Sequence, residues 1–233
     1  MARRPVFLPE PFGEAPVRTV YVEFVWHAGL AVSQKQKSIA SLHASAQSLY
    51  EIDRVLEVSS KSSAPLGVAL SAFNLQFQMP GRNAPISVEC AFQGSKVFEL
   101  GGPYRDIFDK TSRDAKRDPR LQASGRLRGF NFMGDEWPLE PQTAFYDWLY
   151  INALISSHDL SKRVLDYSAF TDIEFNPDRS INCQAYSVAI YVSLLRSGEL
   201  AHTAKSKETF LGFLQNHKVN NPQQDDLVQG RLF

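Results

Sequence analysis

The sequence predicts an α+β fold, a single helix-rich domain with a small sheet whose strands lie near the front of the chain. Three observations predict it. Residues 17–26 are β-branched and aromatic, with Val20, Val22, Phe24 and Trp26 alternating against Tyr21, Glu23 and Val25 at the period of a strand. Residues 182–197 form a long apolar run stopped by Gly198, the pattern of a helix. A chain of 233 residues, 43% apolar and 21% charged, also has the length and composition to bury one sizeable core.

Taken in order, residues 1–16 carry Pro5, Pro9, Pro11 and Pro16, which predict an extended arm with little regular structure. After the first strand, Ser33 is placed to cap a helix to about residue 50, because Ile39, Leu42, Ala46 and Leu49 recur at helical spacing. Residues 54–59 read as a second short strand and 60–65 as a polar turn. Residues 68–77 read as extended, up to a loop at 79–83 rich in Pro, Gly and Asn. Ser87 then caps a helix to about residue 100, which Gly101, Gly102 and Pro103 stop. Residues 104–116 read as helix and 119–128 also fit one. Pro141 or Gln142 opens an apolar helix to about residue 155, and 160–165 reads as helix followed by a loop to residue 180. The helix at 182–197 and an amphipathic one at 206–216 complete the domain, which spans 17–218. A polar tail occupies 219–233.

Composition narrows the function. No apolar stretch approaches the roughly 20 residues that cross a bilayer, and the prolines after the basic start take the place of an apolar signal core, so the expectation is a cytoplasmic protein with no membrane partner. Two cysteines, Cys90 and Cys183, are too few for a disulfide framework. None of the five histidines forms HxH or HxxxH, so neither a metal site nor a cofactor is expected. Formal net charge is zero, which removes the simplest case for nucleic-acid binding. A local excess remains between Arg105 and Arg128, where eight basic residues face four Asp; it fits either phosphate contact or a solvated surface with mixed charges.

The chemistry concentrates in residues 70–98. With Ser87 as N-cap, Glu89 stands in the first helical turn, and Glu89, Gln93 and Lys96, at i, i+4 and i+7, share one face. At 1.5 Å per residue Glu89 and Lys96 are roughly 10 Å apart along the axis, too far to pair well but able to reach one ligand. The same two residues also suit the helix dipole as acid near the start and base near the end.

The pattern Ser71…Phe73, then Ser87-x-Glu89-x-x-Phe92-Gln93-x-x-Lys96-x-Phe98, resembles the NADAR family, in which an FSNF-like segment precedes an SEHxFQxxKF-like helix. Gly125-Arg126 followed by Trp137 is similar to that family's GR…W stretch. Phe170-Thr-Asp172, with Asn182 opening a helix, is similar to its YWGDG…N segment. The motifs fall between about residues 66 and 200. Ala72 stands where FSNF has Asn, with Asn74 nearby as a substitute amide, and Thr171 and Ile173 replace glycines beside Asp172. The additional strand–helix–strand section at 17–60 and the run Ser59-Ser60-Lys61-Ser62 resemble the branch associated with DarT DNA ADP-ribosyltransferase toxins.

This resemblance implies an N-glycosidase that removes ADP-ribose from the guanine amino group of DNA and so acts as antitoxin to a DarT-type toxin, releasing ADP-ribose. It leaves two alternatives, an N-glycosidase on free nucleotides such as riboflavin-pathway intermediates, and a non-catalytic module that binds ADP-ribose or the toxin. It implies Glu89, Lys96 and Asp172 as catalytic residues. Glu89 at a helix N-terminus suits a base or a charge stabiliser. Asp172 serves the ribose hydroxyls or a water, or is simply a turn former. Lys96 is a nucleophile that forms a Schiff base, or a phosphate contact. Substrate-binding positions implied are Ser71, Phe73, Asn74, Gln93, Arg126 toward the diphosphate, Trp137 stacking on a base, Phe170 and Asn182. For Arg126 and Trp137, a surface charge and a core residue are equally simple readings.

Overall fold

The computed structural model describes residues 1–79, 81–177 and 180–217; the polar tail expected at 219–233, and Pro80 of the expected loop, lie outside them. Strands β1 (Ala2–Pro9) and β2 (Val17–Phe24) form an antiparallel hairpin, in register from Ala2 opposite Phe24 to Pro9 opposite Val17. Helix α1 (Val32–Tyr50) leads to β3 (Val55–Glu57). Next come α2 (Pro65–Ala69), the short pair β4 (Gln76–Phe77) and β5 (Ile86–Ser87), and α3 (Val88–Gly94). After β6 (Lys96–Phe98), a 3-10 turn (Arg105–Asp109), α4 (Ser112–Lys116) and α5 (Arg120–Ala123) precede the hairpin β7 (Leu127–Phe132) and β8 (Asp135–Trp137). Then follow α6 (Ala144–Ser156), α7 (His158–Arg163), a second 3-10 turn (Val164–Asp166) and β9 (Ala169–Thr171). Helices α8 (Gln184–Ser197), α9 (Leu200–Thr203) and α10 (Lys207–Asn216) end the described fold. It is the α+β class that the sequence predicts.

The largest sheet has the order β2-β1-β9-β3. Its strands alternate their side chains between two faces. On one face Val6, Leu8, Val22, Phe24 and Ala169 pack against Ile39, Leu42 and Ala46 of α1. On the other, Phe7, Leu56 and Phe170 enter the main core with the buried residues of α6 and α8. Helix α8 is apolar nearly all round because it is enclosed on most sides, and Gly198, at φ 80°, ends it. The smaller sheet, β6-β7-β8, lays Phe130, Phe132 and Trp137 against α6.

Six expectations need correction. Ser33 does not cap α1 but lies inside it, the N-cap being Ala31. The stretch 119–128 is helical only at Arg120–Ala123, and β7 begins at Leu127. Residues 1–16 do not form an irregular arm: β1 lies inside the sheet. The prolines are misleading because β9 joins β1 only at Phe7, so the Pro5 end has no partner strand on that side and a missing N–H is tolerated there. The stretch expected as a loop before residue 180 contains β9, three residues too short to show an alternating pattern. Residues 68–77 are not extended as a whole. The chain finishes α2 and turns, with Asn74 Nδ2 donating to the Val68 carbonyl at 2.8 Å, and only Gln76 and Phe77 are strand. The helix capped by Ser87 stops at Gly94, not near residue 100. A Cβ at position 94 would lie 2.5 Å from the Phe108 ring, and from Lys96 the chain pairs with β7.

Candidate active site

A cleft of about 580 Å³ opens where α3, α4, the 59–61 segment and the chain following β9 converge. Its first wall is α3. Ser87 caps the helix, its Oγ accepting from the Cys90 N–H at 3.1 Å and from the Ser112 hydroxyl at 2.8 Å. The Glu89 N–H donates to the Ala72 carbonyl at 3.0 Å, which locks the 71–74 turn onto the helix start. Glu89 and Gln93, one turn apart, both face the cleft, and Gln93 Nε2 donates to Glu89 Oε1 at 2.9 Å. That bond orients the amide, and it leaves Gln93 Oε1 buried without a hydrogen-bond donor in a side chain only 8% exposed.

Lys96 lines the same cleft, although from the first residue of β6 rather than from the helix. Its Nζ lies 4.8 Å from the centre of the Phe92 ring. Burial pushes the Lys96 amine below the ordinary lysine range; Glu89 opposes that and Lys116 adds to it.

The second wall carries Asp172. Its Oδ1 accepts from the N–H groups of Glu174 and Phe175 at 3.0 and 3.2 Å, and its carboxyl is also hydrogen-bonded to the side chain of Gln184. Gln184 Oε1 in turn accepts from the Ala72 N–H at 2.8 Å, so one amide ties the second wall to the first. Burial raises the Asp172 carboxyl well above the carboxylate range and Glu174 pushes the same way, against those hydrogen bonds. Behind it lies Glu57, 2% exposed, raised first by burial and then by Asp172.

Three cations, Lys61, Arg113 and Lys116, line the cleft as well. Lys116 Nζ stands 5.3 Å from the centre of the half-buried Phe73 ring. A second lobe of about 440 Å³ shares Phe92, Lys96, Tyr146, Ser180 and Asn182 with the first, and continues along Phe130, Leu139, Pro141 and Ile181. The lobes meet at Lys96. Among the described residues, no group of three or more His, Cys, Asp or Glu side chains is placed to hold a metal ion, and no helix is long and apolar enough to cross a membrane.

Of the positions singled out in the sequence, the cleft gathers Ser71, Phe73, Asn74, Glu89, Gln93, Lys96, Asp172 and Asn182. Asn74 spends its amide donor on the Val68 carbonyl, so that donor closes a turn. Three positions lie elsewhere. Trp137 is buried between Phe145 and Trp148, at ring-centre distances of 5.5 and 5.0 Å, and cannot stack on a base. Phe170 is fully buried in the middle of β9, opposite Phe7 and Leu56. Arg126 is exposed in the turn before β7 and does not line the cleft; its N–H donates to Glu99. Arg113, Lys116, Tyr146, Gln184 and Glu57 belong to the site or its support without standing out in the sequence. For Arg113 and Lys116 the charge excess at 105–128 was a signal; for Gln184 and Glu57 there was none, because their partners come from remote segments.

Comparison with curated proteins gives no match. The family described as DarT1-associated NADAR antitoxin matches residues 2–224, nearly the whole chain. With that span covered, and with Glu89, Lys96 and Asp172 of the resembling motifs gathered in one cleft, the chain belongs to the DarT1-associated NADAR antitoxin family.

Proposed function

We propose that the protein hydrolyses the N-glycosidic bond between ADP-ribose and the guanine amino group in DNA, reversing the modification made by its partner toxin. The observation that carries this reading is the joining of two carboxyl groups and an amine, Glu89, Asp172 and Lys96, in one cleft edged by Lys61, Arg113 and Lys116. Scission leaves the bonding pair on nitrogen, which takes a proton, and leaves oxocarbenium-like charge on the sugar. Glu89 is the group that faces this charge and receives the proton of the water adding to the anomeric carbon. The three cations suit a diphosphate. The unpartnered Gln93 Oε1 suits a donor on the ligand, a ribose hydroxyl or a base N–H. With ADP-ribose in the polar lobe and the anomeric carbon near Lys96, the nucleobase falls toward Phe130, Leu139, Pro141 and Ile181, apolar surfaces on which a base stacks.

The lowered amine of Lys96 favours a second route to the same products. Its nitrogen attacks the anomeric carbon as the guanine nitrogen leaves with a proton. The ring then opens to a protonated imine, and water releases the sugar and restores the amine. One experiment tests function and route together. The protein is incubated with an oligonucleotide bearing ADP-ribosyl-guanine and, separately, with a free nucleotide N-glycoside, each with and without borohydride. Release of ADP-ribose from the oligonucleotide is expected. Turnover of the free nucleotide alone rejects the DNA reading, and a borohydride-trapped adduct on Lys96 selects the covalent route.

A further inference from the structure

Glu57 is a buried carboxyl that the reaction as described does not use. It closes β3, parallel to β9, and shares with Thr171 the face of the sheet that α1 covers. Its Oε1 accepts from the Ser59 hydroxyl at 2.6 Å and from the Ile173 N–H at 2.8 Å; its Oε2 accepts from the Thr171 hydroxyl at 2.7 Å. Thr171, having given its proton to Glu57, accepts from His43 Nε2 at 2.8 Å, which places the ring proton on Nε2. Burial holds His43 neutral, its pKa lowered to about 4. Glu57 therefore fixes the residue before Asp172 and the residue after it.

We propose that Asp172 is the proton donor to the leaving nitrogen and that Glu57, buried behind it, is the positioning residue that keeps the Asp172 carboxyl oriented and shares with it the proton that Asp172 delivers. The proposal rests on the glycosidase reading. Glu57 accepts from three donors, and Asp172 likewise from the Glu174 and Phe175 N–H groups and the Gln184 side chain, so hydrogen bonding does not single out either carboxyl as the ionised one. Two neighbouring carboxyl groups, both raised by burial, do not readily ionise together, so the pair holds one proton, and Asp172, which borders the cleft, is the member placed to hand it on. Of the groups around Asp172, Glu174 pushes the same way, while Tyr146 and Tyr150 of α6 and Cys183 before α8 are held neutral by burial and bring no charge. Glu174 is itself paired with Lys35 at 3.5 Å, while Lys61 and Lys96 line the same cleft. As the bond between the anomeric carbon and nitrogen breaks, its electron pair passes to nitrogen, which takes the Asp172 proton. Water supplies oxygen to the anomeric carbon and gives its proton to Glu89, and exchange with solvent returns both carboxyl groups to their starting states.

Two measurements test this, one of which needs no turnover. In the first, kcat for ADP-ribosyl-guanine oligonucleotide is followed against pH. A donor must carry its proton, so activity falls as pH rises past the pKa of Asp172. Glu57→Gln removes the charge that holds this pKa up and is expected to move the alkaline limb about one pH unit lower, with activity kept at acid pH. Thr171→Val, which keeps the carboxyl but removes one donor, moves it the same way by less, and serves if Glu57→Gln does not fold. In the second, the 13C carboxyl signal that disappears in Asp172→Asn is titrated without substrate, and the same downward shift is expected. A uniform loss of kcat with the limb and the titration unmoved makes Glu57 a structural residue and overturns the proposal. Absence of turnover in the unsubstituted protein, with the titration still shifting, discards the glycosidase reading while the coupling of Glu57 to Asp172 stands.

Discussion

The two walls of the cleft solve the same problem, holding carboxyl groups at its surface, in opposite ways. The first wall is local. Glu89, Gln93 and Lys96 come from eight consecutive residues; the N-cap at Ser87 sets the direction of the first two, and pairing of β6 with β7 sets that of Lys96. The second is assembled. Asp172 depends on Glu57 from β3, on Gln184 from α8 and, through Thr171, on His43 from α1. A wall built on one helix start is stiff by virtue of its own hydrogen bonds. A wall built from four segments is stiff only while the sheet and its covering helix stay in register. The first therefore resists substitution of its supports and fails when its reactive group is changed; the second is open to damage from a distance.

The largest expected effect is on the first wall. Glu89→Gln keeps the shape and an acceptor for Gln93 Nε2, while removing the charge that faces the sugar. A fall in kcat of about 10²- to 10³-fold is expected, the size found when one group stabilising transition-state charge is lost, with an unchanged melting temperature. Hydrolysis at the unsubstituted rate removes Glu89 from the chemistry and leaves the second wall as the reactive one.

A smaller effect, on rate and stability together, is expected at the amide that joins the walls. Gln184→Ala leaves the Ala72 N–H without its acceptor and Asp172 without one of its donors. The first loss costs about 1–3 kcal/mol for a buried unmatched group, visible in denaturant unfolding. The second lets Asp172 drift, and kcat should fall about tenfold, a loss of about 1.4 kcal/mol of transition-state stabilisation. Full activity in a destabilised variant shows that the walls need no common register.

The same contrast explains what was legible beforehand. The α3 wall was readable because capping and helical spacing are local rules. They gave Ser87, Glu89 and Gln93 their places. They carried the helix too far at Lys96 because what draws the chain out of the helix, the pairing of Lys96–Phe98 with β7, is a tertiary contact. The strand β1 was hidden by its prolines, and β9 by its length, since β1 exists through pairing with β2 and β9 through pairing with β3. With β9 unseen, nothing placed Glu57 beside Asp172, although both residues are plain in the sequence. Trp137 shows the converse error. It follows a family-like motif in the right order, yet β8 turns it onto Phe145 and Trp148, and order along the chain carries no information about that.

The smallest effect separates charges in the cleft from charges merely near it in sequence. Arg113 and Lys116 on α4 line the polar lobe, whereas Arg126, from the same basic region, is exposed outside it and Arg120 is committed to Asp106 and Asp118. If the diphosphate lies along α4, Lys116→Ala removes one half-screened attraction. It should raise KM for the oligonucleotide about three- to tenfold, roughly 0.7–1.4 kcal/mol, while kcat changes little. The loss should shrink as salt is added, because screening already weakens the unsubstituted contact. Arg126→Ala should leave KM and kcat unchanged at every salt concentration if only charges inside the cleft count. An equal rise in KM for both variants at low salt, vanishing together at high salt, means instead that the whole basic region tracks the DNA backbone, and the cleft cations then have no special claim on the diphosphate.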